Sequence, residues 1–374
     1  MNWNLRKMTT ALAVSCAAFT NFMHAAEDTQ LRNLENRVSS LEQRRGSNCV
    51  INPPARCFSC DRADVFIDAS VFVWQATESG MEYAQKTLGN TDNTASSNSF
   101  KKPQFDWDWG FKLGAGYNTP HDGWDLFLQW TRFHPSRTHR FSSVPAIAGN
   151  AVVPLLSPNT QLSGDETTTA SASWKFRLDM LDLELGREFY TSRWLTLRPF
   201  AGLRSAWIHQ RTKVDYDSVT TAVVTPINVD VNLKNNYWGM GLRAGLDSEW
   251  GLGRGISLYT EMSGSLLLGH FNIFESQSGF DTVGVVPGTT SFSEKFRATR
   301  FVYDLGMAIR YQQFFCCERY EFMAQLGWEQ HMFVNQNQIQ KTYTSTTGLP
   351  STIFVTNQGD LSTQGVTLTL EFGF

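Results

Sequence analysis

A chain of 374 residues with a formal net charge of −3 is long enough for two soluble domains or for one large barrel. Charged residues make up only 18%, aromatics reach 13%, and the mean hydropathy is −0.28. These values exclude a polybasic nucleic-acid binder, and the absence of repeated apolar runs of about 20 residues excludes a bundle of membrane helices.

Residues 1–26 read as a secretory leader. Arg6 and Lys7 precede an apolar stretch from Met8 to Phe22, and Ala25 and Ala26 stand near a cleavage point. Residues 27–63 follow as a periplasmic segment with a short helix. In "LRNLENRVSSLEQ", Leu31, Leu34, Val38 and Leu41 fall at 3-4-3 spacing. That is the seam of a short coiled coil, which predicts a homo-oligomer with a trimer favoured; the plainer reading is a helix packed on its own chain. Removal of the leader takes Cys16 and leaves Cys49, Cys57, Cys60, Cys316 and Cys317, an odd number. In an oxidising compartment these are disulfide candidates, and the odd count points to a bond between protomers or a free thiol. "CFSC" has metal-like spacing without a second ligand pair, so neither metal nor cofactor is expected.

From Asp64 to Phe374 the apolar period is two. Val65, Ile67, Ala69, Val71 and Val73 share one face of the first segment, and Phe105, Trp107, Trp109, Phe111, Leu113, Ala115 and Tyr117 share one face of the second. Trp107 to Tyr117 covers roughly 33 Å of strand, or roughly 25 Å when tilted, the height of a lipid-facing band. Eight more segments repeat the pattern at 124–134, 171–188, 195–210, 236–250, 256–270, 295–313, 320–334 and 362–374. "WKFRLDMLDLELGREF" reads as alternating with a register change between Met180 and Leu181, which predicts a bulge. "VDYDSVTTAVVTPINVDVNL" reads either as a hairpin extending the barrel above the membrane or as an extra membrane pair.

Long connectors rich in Thr, Ser, Asn and Gly alternate with tight ones such as "NTPHDG", "FYTSRW", "GLGRG" and "FFCCER". The fold class is therefore all-β: a closed antiparallel transmembrane β-barrel of about 10 strands, range 10–16, with both termini periplasmic. The final "GVTLTLEFGF" would close the barrel, with Phe374 in the periplasmic girdle. The opposite strand faces place charges toward the lumen: Asp68, Asp106, Asp108, Lys112, Asp125, Lys175, Arg177, Arg198, Arg204, Arg243, Asp247, Glu261, Arg300, Asp304, Arg310, Glu321 and Glu329. They either pair across a nearly filled lumen or line an aqueous channel, and their mixed sign predicts weak selectivity. The histidines, His331 among them, read as girdle or surface residues, and no nucleophile–base pair stands out, so an enzyme is not expected.

Three stretches, "DVFIDASVFVWQATESGMEYA", "LGAGYNTPHDGWDLFLQWTRFH" and "LDLELGREFYTSRWLTLRPFAGLRSAWIHQ", resemble the major outer membrane proteins of the Legionella type and of chlamydia-like bacteria. The resemblance implies a pore-forming protein of a Gram-negative outer membrane, often a disulfide-linked multimer. The terminal aromatic is similar to the signal read by the barrel-assembly machinery. The expected function is passive, weakly selective diffusion of small hydrophilic solutes and ions. The alternative is a structural or adhesive surface barrel with a plugged lumen.

Overall fold

The computed structural model describes residues 64–89, 96–103, 105–119, 123–142, 150–156, 169–192, 194–219, 227–280, 288–315, 320–345, 351–356 and 359–374. The leader, the heptad stripe at Leu31 to Leu41 and all the cysteines lie outside the described residues.

Ten antiparallel strands form the barrel: β1 (Asp64–Glu78), β2 (Trp107–Asn118), β3 (Trp124–Phe133), β4 (Thr169–Arg187), β5 (Leu195–Val219), β6 (Ile227–Gly253), β7 (Ile256–Phe280), β8 (Gly288–Phe315), β9 (Tyr320–Asn337) and β10 (Gly359–Gly373). Each pairs with its neighbours in chain order, and β10 pairs with β1 from Phe66↔Gly373 to Glu78↔Leu361, so no edge is left open. The last residue belongs to this seam: Phe374 N–H donates to the Val65 carbonyl (2.9 Å) and Val65 N–H donates to the Phe374 carbonyl (3.1 Å). Tight turns lie at one end, where the chain must reverse in few residues. In "GLGRG", Gly253, Arg254 and Gly255 have φ of 103°, 57° and 78°, left-handed backbone that glycine adopts without a Cβ penalty.

Lipid-facing side chains form a belt. On β6, Trp238, Met240, Leu242, Leu246 and Trp250 are exposed, with Leu242 at 71%. On β10, Val366, Leu368, Leu370 and Phe372 are exposed in the same way. A tryptophan at each end of the β6 stretch marks the two water interfaces. The alternation predicted for β2 stands, with Trp107, Trp109, Leu113 and Tyr117 pointing outward.

Four strands are long enough to run well past this belt at the long-loop end: β5 has 25 residues in all, β6 27, β7 25 and β8 28. Of the "VDYDSVTTAVVTPINVDVNL" segment, the described residues 214–219 and 227–233 continue β5 and β6 beyond the membrane and are not an extra membrane pair, with Val214↔Val231 and Asp215↔Asp230 in register. Here the pattern inverts. Beyond Trp207 on β5, His209, Arg211 and Lys213 face out, while Ile208, Val214 and Tyr216 are buried inside.

The same inversion corrects the reading of β4. The strand pairs without interruption from Asp217↔Thr169 to Phe200↔Gly186, so there is no bulge at Met180. Its even-numbered face points inward throughout, burying Trp174, Phe176, Leu178, Met180, Asp182 and Glu184. Lys175 and Arg177 therefore project outward and do not line the lumen. The sequence pattern changed because the surroundings changed, from lipid outside to water outside, and the backbone register did not.

Candidate functional site

The lumen divides into two layers. In the half toward the short turns, charged side chains from most of the strands converge. Arg204 on β5 holds Asp182 with two parallel hydrogen bonds, Nε to Oδ1 at 2.7 Å and Nη2 to Oδ2 at 2.8 Å, and reaches across the barrel to Asp304 Oδ2 at 2.7 Å. Planar guanidinium groups suit such bridging, because one residue satisfies two carboxylates at fixed angles. Arg243 on β6 donates to Glu184 and, at 2.7 Å, to Glu261. Arg198 donates to Asp125 (Nε to Oδ2, 3.0 Å) and to Asp247 (2.8 Å), and Arg310 pairs with Glu249 at 2.9 Å. Lys112 pairs with Glu329, and Asp304 also accepts from Ser263 Oγ (2.7 Å) and bonds His331 Nδ1 (2.8 Å).

These groups surround a cavity of about 320 Å³ that runs from Arg204 and His331 at its deep end to Tyr190, Phe314 and Glu321 beside the short turns. Of the predicted lumen residues, Asp68, Lys112, Asp125, Arg198, Arg204, Arg243, Asp247, Glu261, Arg310, Glu321 and Glu329 line it, and Asp304 joins through Arg204. Asp108 lies at the long-loop end of β2, half-buried. Arg300 lies apart from the cavity, its guanidinium 4.7 Å from the Phe271 ring centre. Asp106 precedes β2 and is exposed, so it is not a lining residue. His331 is no girdle residue: it is buried in the lumen between Asp304 and Trp74, whose ring centre is 4.8 Å away. Asp182 and Glu184 were missed as lining residues. The unbroken even-numbered face of "LDLELG" carries the signal for them.

The second layer is apolar. Phe72, Trp74, Phe133, Phe176, Leu178, Ile208, Tyr237, Phe271, Val302 and Phe333 are all buried and meet in one cluster. Trp74 forms the boundary between layers. It stacks on Phe72 (3.7 Å between centres), meets Phe133 edge-on (5.7 Å), donates Nε1–H to Thr367 Oγ1 (3.1 Å), and receives Lys112 Nζ 5.1 Å from its ring. Gly110 makes this possible, since a Cβ there would lie 2.3 Å from the Phe72 ring. Beyond the lipid belt, a polar tier sits inside the extension: Gln210 Nε2 donates to Glu78 Oε1 (2.9 Å) and Asn235 Nδ2 to the Gln336 carbonyl (3.1 Å). Burial pushes the Glu78 carboxyl up to about 8, and that of Glu275 up to about 7. Met81, Tyr83 and Leu156 from the long connectors complete the apolar core above, with Tyr216 Oη donating to the Tyr83 carbonyl at 2.5 Å.

A closed ten-stranded barrel with a lipid belt and a charged lumen is the architecture of an outer-membrane protein, and the family comparison decides which. The model of the Legionella pneumophila major outer membrane protein precursor matches residues 58–374. The chain belongs to that family. No curated protein matches it. Among solved structures it is similar to the outer membrane protease OmpT from Escherichia coli, at 10% identity over 83% of this chain and 96% of that one, with a TM-score of 0.41. The toluene transporter TodX of Pseudomonas putida is similar at 9% identity over 86% and 92%, with a TM-score of 0.23. At these scores neither likeness bears on activity.

Proposed function

We propose that this major outer membrane protein is a narrow pore for small hydrophilic solutes and ions, with its short-turn end and both termini in the periplasm. The observation that carries this reading is the cavity of about 320 Å³ at membrane depth, lined by charged side chains of both signs. Such a lining holds water and lowers the cost of bringing an ion to that depth. The lumen in the described state is shut by the Phe72–Trp74–Phe133 layer, so conduction requires those side chains to part. The protein is not read as an enzyme. Ser263 donates to Asp304, and Asp304 stands between it and His331, so Ser263 and His331 do not form the nucleophile–base contact that acyl transfer needs.

A second reading, a structural surface barrel with a permanently plugged lumen, is supported by the apolar layer itself, which leaves little room for water between the packed rings. Planar-bilayer recordings in a salt gradient separate the two. The pore reading expects discrete conductance steps from the wild type and larger ones from a Phe72→Ala, Phe133→Ala variant. Silence from both proteins, each shown to be folded, overturns it in favour of the plugged barrel.

A further inference from the structure

The outward face just beyond the lipid belt carries a feature that conduction does not use. On β4, β5 and β6, directly above Trp207 and Trp238, the cross-strand register sets Lys175 beside Arg211 and Arg211 beside Lys234. One row nearer the belt, Arg177 stands beside His209. Cβ atoms in such pairs are about 5 Å apart, and like charges placed so repel each other. Lys175, Arg177 and Arg211 are exposed, and among the described residues none of them has a carboxylate partner. Of the carboxylates at the margins, Asp179 pairs with His134 at 2.8 Å, and Asp215 and Asp230 lie opposite each other two outward rows farther from the belt. Lys234, on the same outward face and partly exposed, sets its Nζ 5.0 Å from the Phe274 ring centre.

The patch is confined to one side. At the same height on β1 and β10 the outward residues are Gln75, Thr77, Ser362 and Gln364, which are uncharged. Lys213 on β5 and Lys295 and Arg297 on β8 also face out on this side, and a general need for solubility would not concentrate cations from β4 to β8 and spare the β1–β10 wall. Three cations in a row, two outward rows above a tryptophan girdle, sit at the depth of lipid head groups. We infer that the Lys175–Arg211–Lys234 row is a docking site for the phosphate groups of an outer-leaflet lipid. This rests on the same reading of which end faces outward and is independent of conduction. The lipid's acyl chains would lie along the belt below, against Leu203, Met240 and Leu242, which are exposed there.

The test uses the full-length protein in phosphatidylcholine nanodiscs, titrated with phosphatidic acid as the phosphate-bearing probe and with diacylglycerol as its uncharged counterpart. Bound lipid is read by native mass spectrometry. Wild type is expected to prefer phosphatidic acid, and a Lys175→Gln, Arg211→Gln, Lys234→Gln variant to bind it at least about tenfold more weakly. The charge-keeping variant Lys175→Arg, Arg211→Lys, Lys234→Arg keeps the preference, and single changes, which preserve folding most securely, give intermediate losses. The inference is overturned if the neutral variant binds phosphatidic acid as well as wild type, if diacylglycerol binds equally, or if inorganic phosphate competes as strongly as the lipid.

Discussion

The belt and the extension above it are built from the same strands in the same register, yet they read as opposites. Within the belt the exposed side chains are Leu203, Met240, Leu242 and Leu266, and the buried ones include Arg204, Arg243, Asp182 and Asp304. Past Trp207 and Trp238 the exposed ones are Arg211 and Asn272, and the buried ones are Ile208, Val231 and Phe271. A strand's alternation therefore reports what wets each face. The switch from lipid to water inverts its sign, while hydrogen bonding and pleat continue unchanged.

The comparison is broken most severely at the centre of the charged layer. Arg204→Met leaves Asp182 and Asp304 buried with their principal cation gone, and a cost of about 3–5 kcal/mol is expected. Urea unfolding of the vesicle-inserted barrel measures it; a loss below about 1 kcal/mol would mean that water already reaches and solvates those carboxylates. A smaller and sharper contrast comes from placing the same charge on either side of the girdle. Leu242→Arg puts a guanidinium against hydrocarbon and should cost about 2–4 kcal/mol. Asn272→Arg, exposed on the extension, should change stability by less than about 0.5 kcal/mol. Equal effects in the same unfolding assay would mean that the belt ends elsewhere.

A third contrast concerns the polar tier and is read in the pH dependence of stability. Glu78 holds its proton up to about 8 in the folded protein and releases it near 4.5 when unfolded, so the folded state binds more protons between those values. Stability present below pH 4.5 should then decline as pH rises from about 4.5 to 8 and level off above. Glu78→Gln keeps the contact to Gln210 as an amide pair and should flatten that part of the profile. A slope that survives the substitution unchanged would assign it to another group, Glu275 being the next candidate.

Legibility followed the same boundary. The closing strand, the outward face of β2 and most lumen charges from Lys112 to Glu321 could be read from period-two alternation, because lipid sorts residues strand by strand. Lys175 and Arg177 face outward and not into the lumen, because at their height water lies outside and the membrane rule for charged residues no longer holds. His331 could not be placed, because its surroundings come from β1, β8 and β9 together, with Trp74, Asp304 and Glu329 brought in from distant positions.

The sequence by itself determined an antiparallel barrel of about ten strands and, in strands such as β2 and β10, the side that meets lipid, since a local period of two needs no knowledge of neighbours. Only the tertiary structure decided that the lumen is layered, charged below and aromatic above. Which cation meets which carboxylate, and whether rings from opposite walls touch, depends on closure of the barrel, which brings Phe72, Phe133 and Phe271 into one cluster from far apart in the chain.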